Sequence, residues 1–326
     1  MSQLLAPLTA FAGSLLMIWW LARSRLSALI LDHPNPRSLH EAPVPRTGGL
    51  GLHAGFLIAA GIIAPALPLA MWSAFGLLLL ISFLDDARGI PTPARFAAHL
   101  AASGLFAWAI LYADYGPAVT VIATVAIAWM ANLYNFMDGS DGLAGAMGAI
   151  GFAFYGAAAA LAGSIEFALV NLSLAAAAAA FLCFNWHPAR IFMGDAGSVP
   201  LGFLAAALGV IGWRQGDWTW WFAPLVFAPF IVDASVTLAR RLARRDRVWE
   251  AHRDHYYQRL VQMGWGHRKT ALAESVVMAA GGLAALGALA LSPALQAAVL
   301  AGATAIYGVF IALIESKWRQ TAGHGE

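Results

Sequence analysis

The chain has 326 residues, of which 60% are hydrophobic and 11% charged, and its mean hydropathy is +0.70. Soluble domains carry roughly 25% charged residues, so the composition excludes an ordinary soluble enzyme and fits a polytopic membrane protein. The net charge of +2 says little as a total, and the single cysteine, Cys183, excludes an intrachain disulfide.

Eleven apolar segments follow one another, at approximately 4–22, 50–67, 69–84, 96–112, 118–134, 143–161, 166–184, 199–213, 218–237, 271–290 and 293–314. Most approach the ~20 residues a helix needs to cross the hydrocarbon. Their hydrophobicity is continuous rather than alternating, which favours helices over a barrel and predicts an all-α chain of about eleven transmembrane helices. The 199–213 segment is short and the least secure of them. With eleven spans the loops alternate between two sides, and of the nineteen lysines and arginines only Arg214 falls on the second side. The positive-inside rule makes the first side cytoplasmic, with the N-terminus outside and the C-terminus cytoplasmic. No positive charge precedes the first span, so it is not read as a cleavable signal peptide. The chain is expected to be one integral membrane domain, 1–326, whose chemistry lies in the cytoplasmic loops 23–49, 85–95, 135–142, 185–198 and 238–270. The lipid bilayer is therefore a partner by composition alone.

The first of these loops contains "DHPNPRSLHEAPVPRTGG", 32–49, in which four prolines and a Gly-Gly preclude a continuous helix. Arg37, His40 and Arg46 are its cationic candidates. The second, "FLDDARGI", places Asp85 and Asp86 at the end of the third span. Adjacent carboxylates repel, and at a helix C-terminus they also oppose the helix dipole. A divalent metal removes that conflict, and Mg²⁺ commonly takes one or two carboxylates plus substrate phosphates. The third, "NLYNFMDGSDGLAG", carries Asn132, Asn135, Asp138 and Asp141. One helix cap accounts for one aspartate but not for the whole set, and its glycines allow close approach of a phosphate to a helix N-terminus.

The fourth, "FNWHPARIFMGDAGSVPLGF", places Asp195 in a small-residue turn before the eighth span, accompanied by Asn185, His187 and Arg190. The fifth begins with a basic run, Arg240, Arg241, Arg244, Arg245 and Arg247, read mainly as a contact with anionic lipid. It continues as "HRDHYYQRL", where His252, Arg253, His255 and Arg259 interleave with Tyr256 and Tyr257. His252 and His255 have a helical i,i+3 spacing that zinc could use, but no close third ligand is evident. Aromatic and cationic groups together suit a nucleobase and its phosphates better. Asp233, inside the ninth span, is read as the partner of a basic residue or a support for the site.

Taken together these segments resemble the polyprenyl-phosphate N-acetylhexosamine-1-phosphate transferases. That family includes the phospho-MurNAc-pentapeptide translocase and the WecA-type initiators of O-antigen. The paired-aspartate motif looks like "DDARG". The Asn-x-x-Asn-x-x-Asp-Gly-x-Asp-Gly motif matches Asn132, Asn135, Asp138, Gly139, Asp141 and Gly142, and "MGDAGS" matches the motif around Asp195. The matches run from residue 32 to about 265 in order. Two departures, His252-Arg-Asp-His255 in place of three histidines and Arg88 in place of a lysine, point to the O-antigen branch rather than the peptidoglycan enzyme.

The resemblance implies transfer of an N-acetylhexosamine 1-phosphate, or a deoxy N-acetyl sugar 1-phosphate, from a UDP-N-acetyl sugar to undecaprenyl phosphate, with release of UMP. It implies Mg²⁺, with Mn²⁺ as an alternative, held by Asp195 with Asp86 and Asp138. Asp85 would orient the lipid phosphate, and together with Asp86, Asp138 and Asp141 it makes up the set of candidate catalytic acids. Arg46, Asn132, Asn135, Asn185, His252, Arg253 and His255 would contact substrate. The expected location is the bacterial inner membrane with the site on its cytoplasmic face. No nucleic acid partner is expected, and the family is compatible with a homodimer.

Three rival readings fit these residues less well. A secondary transporter would place its ionisable groups near the bilayer midplane, whereas these acids cluster at one face. A CDP-alcohol phosphotransferase would show a longer aspartate pattern, which is absent. A scaffold without activity would leave the acids without a task.

Overall fold

The computed structural model describes residues 2–34, 39, 43–247, 250 and 252–322. Arg37 and His40, two of the cationic candidates of the first loop, lie outside the described residues.

The helices are α1 (Ala6–Leu21), α2 (Arg25–Leu29), α3 (Gly48–Ile63), α4 (Leu69–Arg88), α5 (Thr92–Phe136), α6 (Leu143–Leu161), α7 (Ile165–Asn185), α8 (Asp195–Gln215), α9 (Phe222–Val226), α10 (Ala228–Ala243), α11 (Tyr256–Leu260), α12 (Gly266–Ala288) and α13 (Pro293–Ala322). Among the described residues the only strands are β1 (Leu31–Asp32) and β2 (Val44–Pro45), paired antiparallel with Leu31 opposite Pro45. The chain is all-α and multi-pass, as its composition demands. Among the described residues, eight helical stretches are long and apolar enough to cross a membrane.

Each of the eleven apolar segments lies largely on helix, although residues 64–67 and 218–221 do not, and there are informative differences. Segments 96–112 and 118–134 join as α5, whose 45 residues break at Gly116 (φ 71°) before Pro117. At ~1.5 Å per residue a straight helix of that length would be about twice the hydrocarbon thickness, so the break marks a turn between two passes. The 199–213 segment, short in sequence, is 21 residues long and begins at Asp195 itself. It looked short because polar residues of the site occupy its first turn. This helix is the most buried of the bundle and packs against α3, α4, α5 and α6. The 218–237 segment is two helices, interrupted at Phe227 just before Pro229, whose ring blocks continuation.

The proline-rich first loop is extended where it is described. Arg46 N–H donates to Ile30 O at 3.1 Å, Phe192 N–H to Pro45 O at 2.7 Å, and Gly48 N–H to Phe192 O at 2.9 Å. These bonds lash the start of α3 to the turn before α8. Gly49 and Gly197 make the crossing possible: a Cβ on Gly49 would overlap the Gly197 backbone.

Candidate active site

The loops after β1, α4, α5, α7 and α10 meet at one end of the bundle around a cavity of about 540 Å³. Its wall includes Arg46, Asp85, Asn135, Asp138, Asp141, Asn185, Asp195, His252 and His255, all named from sequence. At the opposite end Arg214 pairs with Asp114 at 2.5 Å and Ser164 donates to Asp217 at 2.6 Å. The acids of the motifs and the few polar groups of the other loops are thus segregated.

Asp85, in the last turn of α4, accepts the Ile90 N–H at 2.5 Å and pairs with Arg95 at 2.5 Å. Arg95, in the first turn of α5, also reaches Asp195 at 3.1 Å. The two carboxyl groups, more than a hundred residues apart, are thus joined through this arginine. Asn135, in the last turn of α5, donates its amide to Asp195 Oδ1 at 2.8 Å and to Ser198 Oγ at 2.9 Å. Asp195 is therefore oriented from two sides.

Asp86 does something different from its neighbour. Its Oδ2 accepts the Ala196 N–H at 2.8 Å and its Oδ1 the Asp195 N–H at 3.2 Å, while Arg46 approaches at 3.5 Å. It caps the positive end of α8. Arg46 also donates to the Asp86 carbonyl at 2.9 Å. Gly194, the residue before α8, has φ 74°, and a Cβ there would collide with the Arg46 carbonyl oxygen. Only glycine lets the chain turn here with Asp86 and Arg46 so close.

Asp138, between α5 and α6, is half-buried and lines the cavity. Burial, and then the carboxylates of Asp195, Asp86, Asp32 and Asp141, hold its pKa well above the usual carboxylate range. Asp141 accepts from His187 Nδ1 at 2.7 Å and from the Ala189 N–H at 3.1 Å. His187 stacks on His267, whose Nδ1 lies 2.9 Å from Ser140 Oγ. Asn185 spends its amide on the loops, accepting Gly142 N–H at 2.9 Å and donating to Ile191 O at 3.0 Å.

The fifth loop enters the cavity through His255. Its Nδ1 lies 3.1 Å from Asp233 Oδ1, and Asp233 also accepts the Tyr256 and Tyr257 N–H groups at 3.0 Å each. The acid inside the ninth span is thus the partner of His255, and the ring nitrogen left for the cavity is Nε2. Burial, followed by the nearby His255 and Arg241, pushes the His252 imidazole down to about 4, so it is neutral at pH 7.

Two of the substrate-binding candidates lie off the cavity wall. Asn132 bonds His99 Nδ1 at 3.1 Å and the Ala128 carbonyl at 2.7 Å, joining the two halves of α5. Arg253 is on the loop but does not line the cavity. The basic run is also more than a lipid contact. Arg241 and Arg244 pair with Asp254 at 2.9 and 3.2 Å, Arg247 pairs with Glu250 at 2.9 Å, and Arg240 pairs with Glu315. Sequence reasoning missed Arg95 and His267 as site residues. Arg95 had one available signal, being a cation within the first turn after the break that follows the paired aspartates.

Metal binding can be judged by the donor set. Among the described residues no three Asp, Glu, His or Cys side chains converge tightly enough to ligate an ion by themselves. A site of one or two carboxylates completed by phosphate oxygens is what Mg²⁺ accepts. Asp138 and Asp195 both line the cavity, and the Asp195 carboxylate helps to raise the pKa of Asp138, so the pair fits that requirement.

The signature of glycosyl transferase family 4 matches residues 68–213, the stretch holding Asp85, Asp138 and Asp195. A Streptomyces coelicolor protein, "Putative glycosyltransferase SCO3672", is 32% identical over 86% of this chain and 67% of its own length. The chain belongs to glycosyl transferase family 4. Decaprenyl-phosphate N-acetylglucosaminephosphotransferase of Mycobacterium tuberculosis is 28% identical over 88% of this chain and 82% of its own. Undecaprenyl-phosphate alpha-N-acetylglucosaminyl 1-phosphate transferase of Escherichia coli is 25% identical over 80% and 76%. This family 4 member is accordingly a multi-pass membrane glycosyltransferase.

Proposed function

We propose that the chain transfers an N-acetylhexosamine 1-phosphate from a UDP-sugar to undecaprenyl phosphate and so initiates a lipid-linked glycan. The observation that carries this is the convergence of Asp85, Asp138, Asp195 and two arginines on one cavity at one end of a membrane-spanning bundle. A lipid phosphate is held at headgroup depth by its tail, and a nucleotide sugar is soluble. Only a site at span ends is open to both, and ionisable groups at that depth are functional candidates.

An oxygen of the lipid phosphate attacks the sugar-side phosphorus of the UDP-sugar. The bond from that phosphorus to the bridging oxygen breaks, and UMP leaves with the electron pair. Such transfers are catalysed mainly by positioning and charge neutralisation. Arg46 and Arg95 both line the cavity, where their guanidinium groups can donate to phosphate oxygens. Asp85 orients the lipid phosphate, which is largely deprotonated at pH 7 and needs little base catalysis. His255, fixed by Asp233, offers Nε2 to the diphosphate. Asn135 holds Asp195, and Asp141 lies on the nucleotide side with Asn185. Trp129, Phe136, Ala234 and Leu238 form an apolar flank through which a prenyl chain can enter. Mg²⁺, held by Asp195 and Asp138 with Asp86 beside them, would neutralise and polarise the diphosphate.

The charge asymmetry of the loops supports a bacterial inner-membrane location with this cavity on the cytoplasmic face. The departures around His252 and Arg88 support the O-antigen-type branch. The test is UMP release by purified protein supplied with undecaprenyl phosphate, Mg²⁺ and a panel of UDP- and CDP-linked donors. Release from a UDP-N-acetyl sugar, abolished by EDTA, is expected. Turnover confined to CDP-linked donors would refute the reading, and activity persisting in EDTA would refute the metal.

A further inference from the structure

The C-terminal helix α13 poses a physical puzzle. Its most apolar window has a mean hydropathy of 2.2, and none of that window is buried. Yet its last turns carry a glutamate, Glu315, that is only 9% exposed. A buried carboxylate is costly unless it is paired and hydrogen-bonded. Glu315 meets that condition almost entirely with groups flanking the fifth loop. Its Oε1 accepts from Arg259 at 2.6 Å and from the Tyr256 hydroxyl at 3.2 Å, and its Oε2 accepts from Arg240 at 2.8 Å. Arg240 also donates to the Tyr256 hydroxyl at 3.0 Å. The Arg259 guanidinium lies over both the Tyr256 ring (5.3 Å) and the Trp318 ring (5.4 Å).

Tyr256 is the hinge of this arrangement. Its hydroxyl belongs to the Glu315 cluster, and its backbone N–H donates to the Asp233 carboxylate that holds His255. A helix that otherwise faces lipid is thus tied, through one acid, to the residue that orients a histidine in the cavity. The tie joins residues 56 to 75 positions apart in the chain.

We propose that Glu315 is a positioning residue for His255, acting through Tyr256 and Arg259, so that the last helix works as a clamp on the histidine loop. This rests on the phosphotransferase reading only for its kinetic consequence. The clamp itself is a statement about loop order and is testable without turnover.

The experiment uses the full chain in lipid nanodiscs, as wild type, Glu315→Ala, Glu315→Gln, His255→Ala and the Glu315→Ala/His255→Ala double variant. Amide hydrogen exchange is followed in peptides covering 255–260. In Glu315→Ala these amides should exchange at least tenfold faster, with those of α6 to α8 unchanged. Glu315→Gln, which keeps the length and one carbonyl acceptor, should fall between it and wild type. For UMP release, kcat should drop at least tenfold in Glu315→Ala, and the double variant should be no slower than His255→Ala alone. A merely structural role would make the two losses multiply. Unchanged exchange at 255–260, or multiplicative losses, overturns the proposal. If Glu315→Ala does not fold, Glu315→Gln and its double variant with His255→Ala carry the same comparison. A wild type that releases no UMP would defeat the phosphotransferase reading and leave the exchange data to decide the clamp.

Discussion

The Asp86 carboxylate caps the helix that starts at Asp195, taking the Asp195 N–H at 3.2 Å and the Ala196 N–H at 2.8 Å. The paired aspartates therefore divide the work. Asp85 faces the cavity with Arg95, and Asp86 faces the backbone that carries Asp195. A cap lost to alanine costs about 1 kcal/mol. Asp86→Ala is expected to lower the thermal midpoint and the rate together, while Asp86→Asn keeps an acceptor and most of the stability. Thermal unfolding of both variants checks this. Equal stability in the two, with equal loss of activity, would make Asp86 a ligand rather than a cap.

Among the described residues, Arg95 is the one cation shared by Asp85 and Asp195. Its side chain is 32% exposed, so the ion pairs should contribute little to stability, on the order of 1 kcal/mol. Activity is the more sensitive readout. Arg95→Ala should reduce UMP release at least tenfold with a small shift in thermal midpoint. Arg95→Lys, a point charge without the planar fork, should recover only part of the loss. A fully active Arg95→Ala would remove Arg95 from the site.

Asp138 is raised above the usual carboxylate range by burial and by four neighbouring acids. In the window between that usual range and its raised value, the folded chain holds a proton that the unfolded chain has lost. Stability from this group is therefore present at low pH and falls as pH rises through the window. A divalent ion on the ionised carboxylate offsets the loss, by about 2.7 kcal/mol at a hundredfold excess over Kd. Mg²⁺ is expected to raise the thermal midpoint at pH 8 and to do so less at pH 5. The shift should also shrink in Asp138→Asn. A Mg²⁺ effect equal at both pH values and in the variant would exclude Asp138 as a ligand.

His252 titrates in the opposite sense. Its folded pKa of about 4 lies below the ordinary 6.5. As pH falls, the unfolded chain takes up the proton first. The contribution of the neutral ring is complete above about 6.5 and is lost as pH falls towards 4. Over that interval the thermal midpoint of His252→Asn should decline less steeply than that of wild type. Parallel curves would show that His252 is solvated in solution.

The glycines and acids at the span ends were legible because they stand out against apolar neighbours. Their division of labour was not. Asp85 and Asp86 are indistinguishable as letters, and only the arrival of α8 turns one of them into a cap. Asn132 and Asn135 share a motif, yet a helical offset of three sends Asn135 to Asp195 and Asn132 to His99. The basic run resembled a lipid contact because Asp254 and Glu315, which pair with it, lie up to 75 residues away.

The sequence by itself determined that the chain lives in a membrane, where its helices fall, and which family of motifs it carries. Hydrophobicity summed over twenty residues is a local quantity, and so is motif spacing. Tertiary structure alone decided that Arg95 joins Asp85 to Asp195, that Asp233 holds His255, and that a lipid-facing last helix reaches back to the site. Those are contacts of about 3 Å between groups distant in the chain, and electrostatic and hydrogen-bond energies depend on that distance rather than on order along the chain.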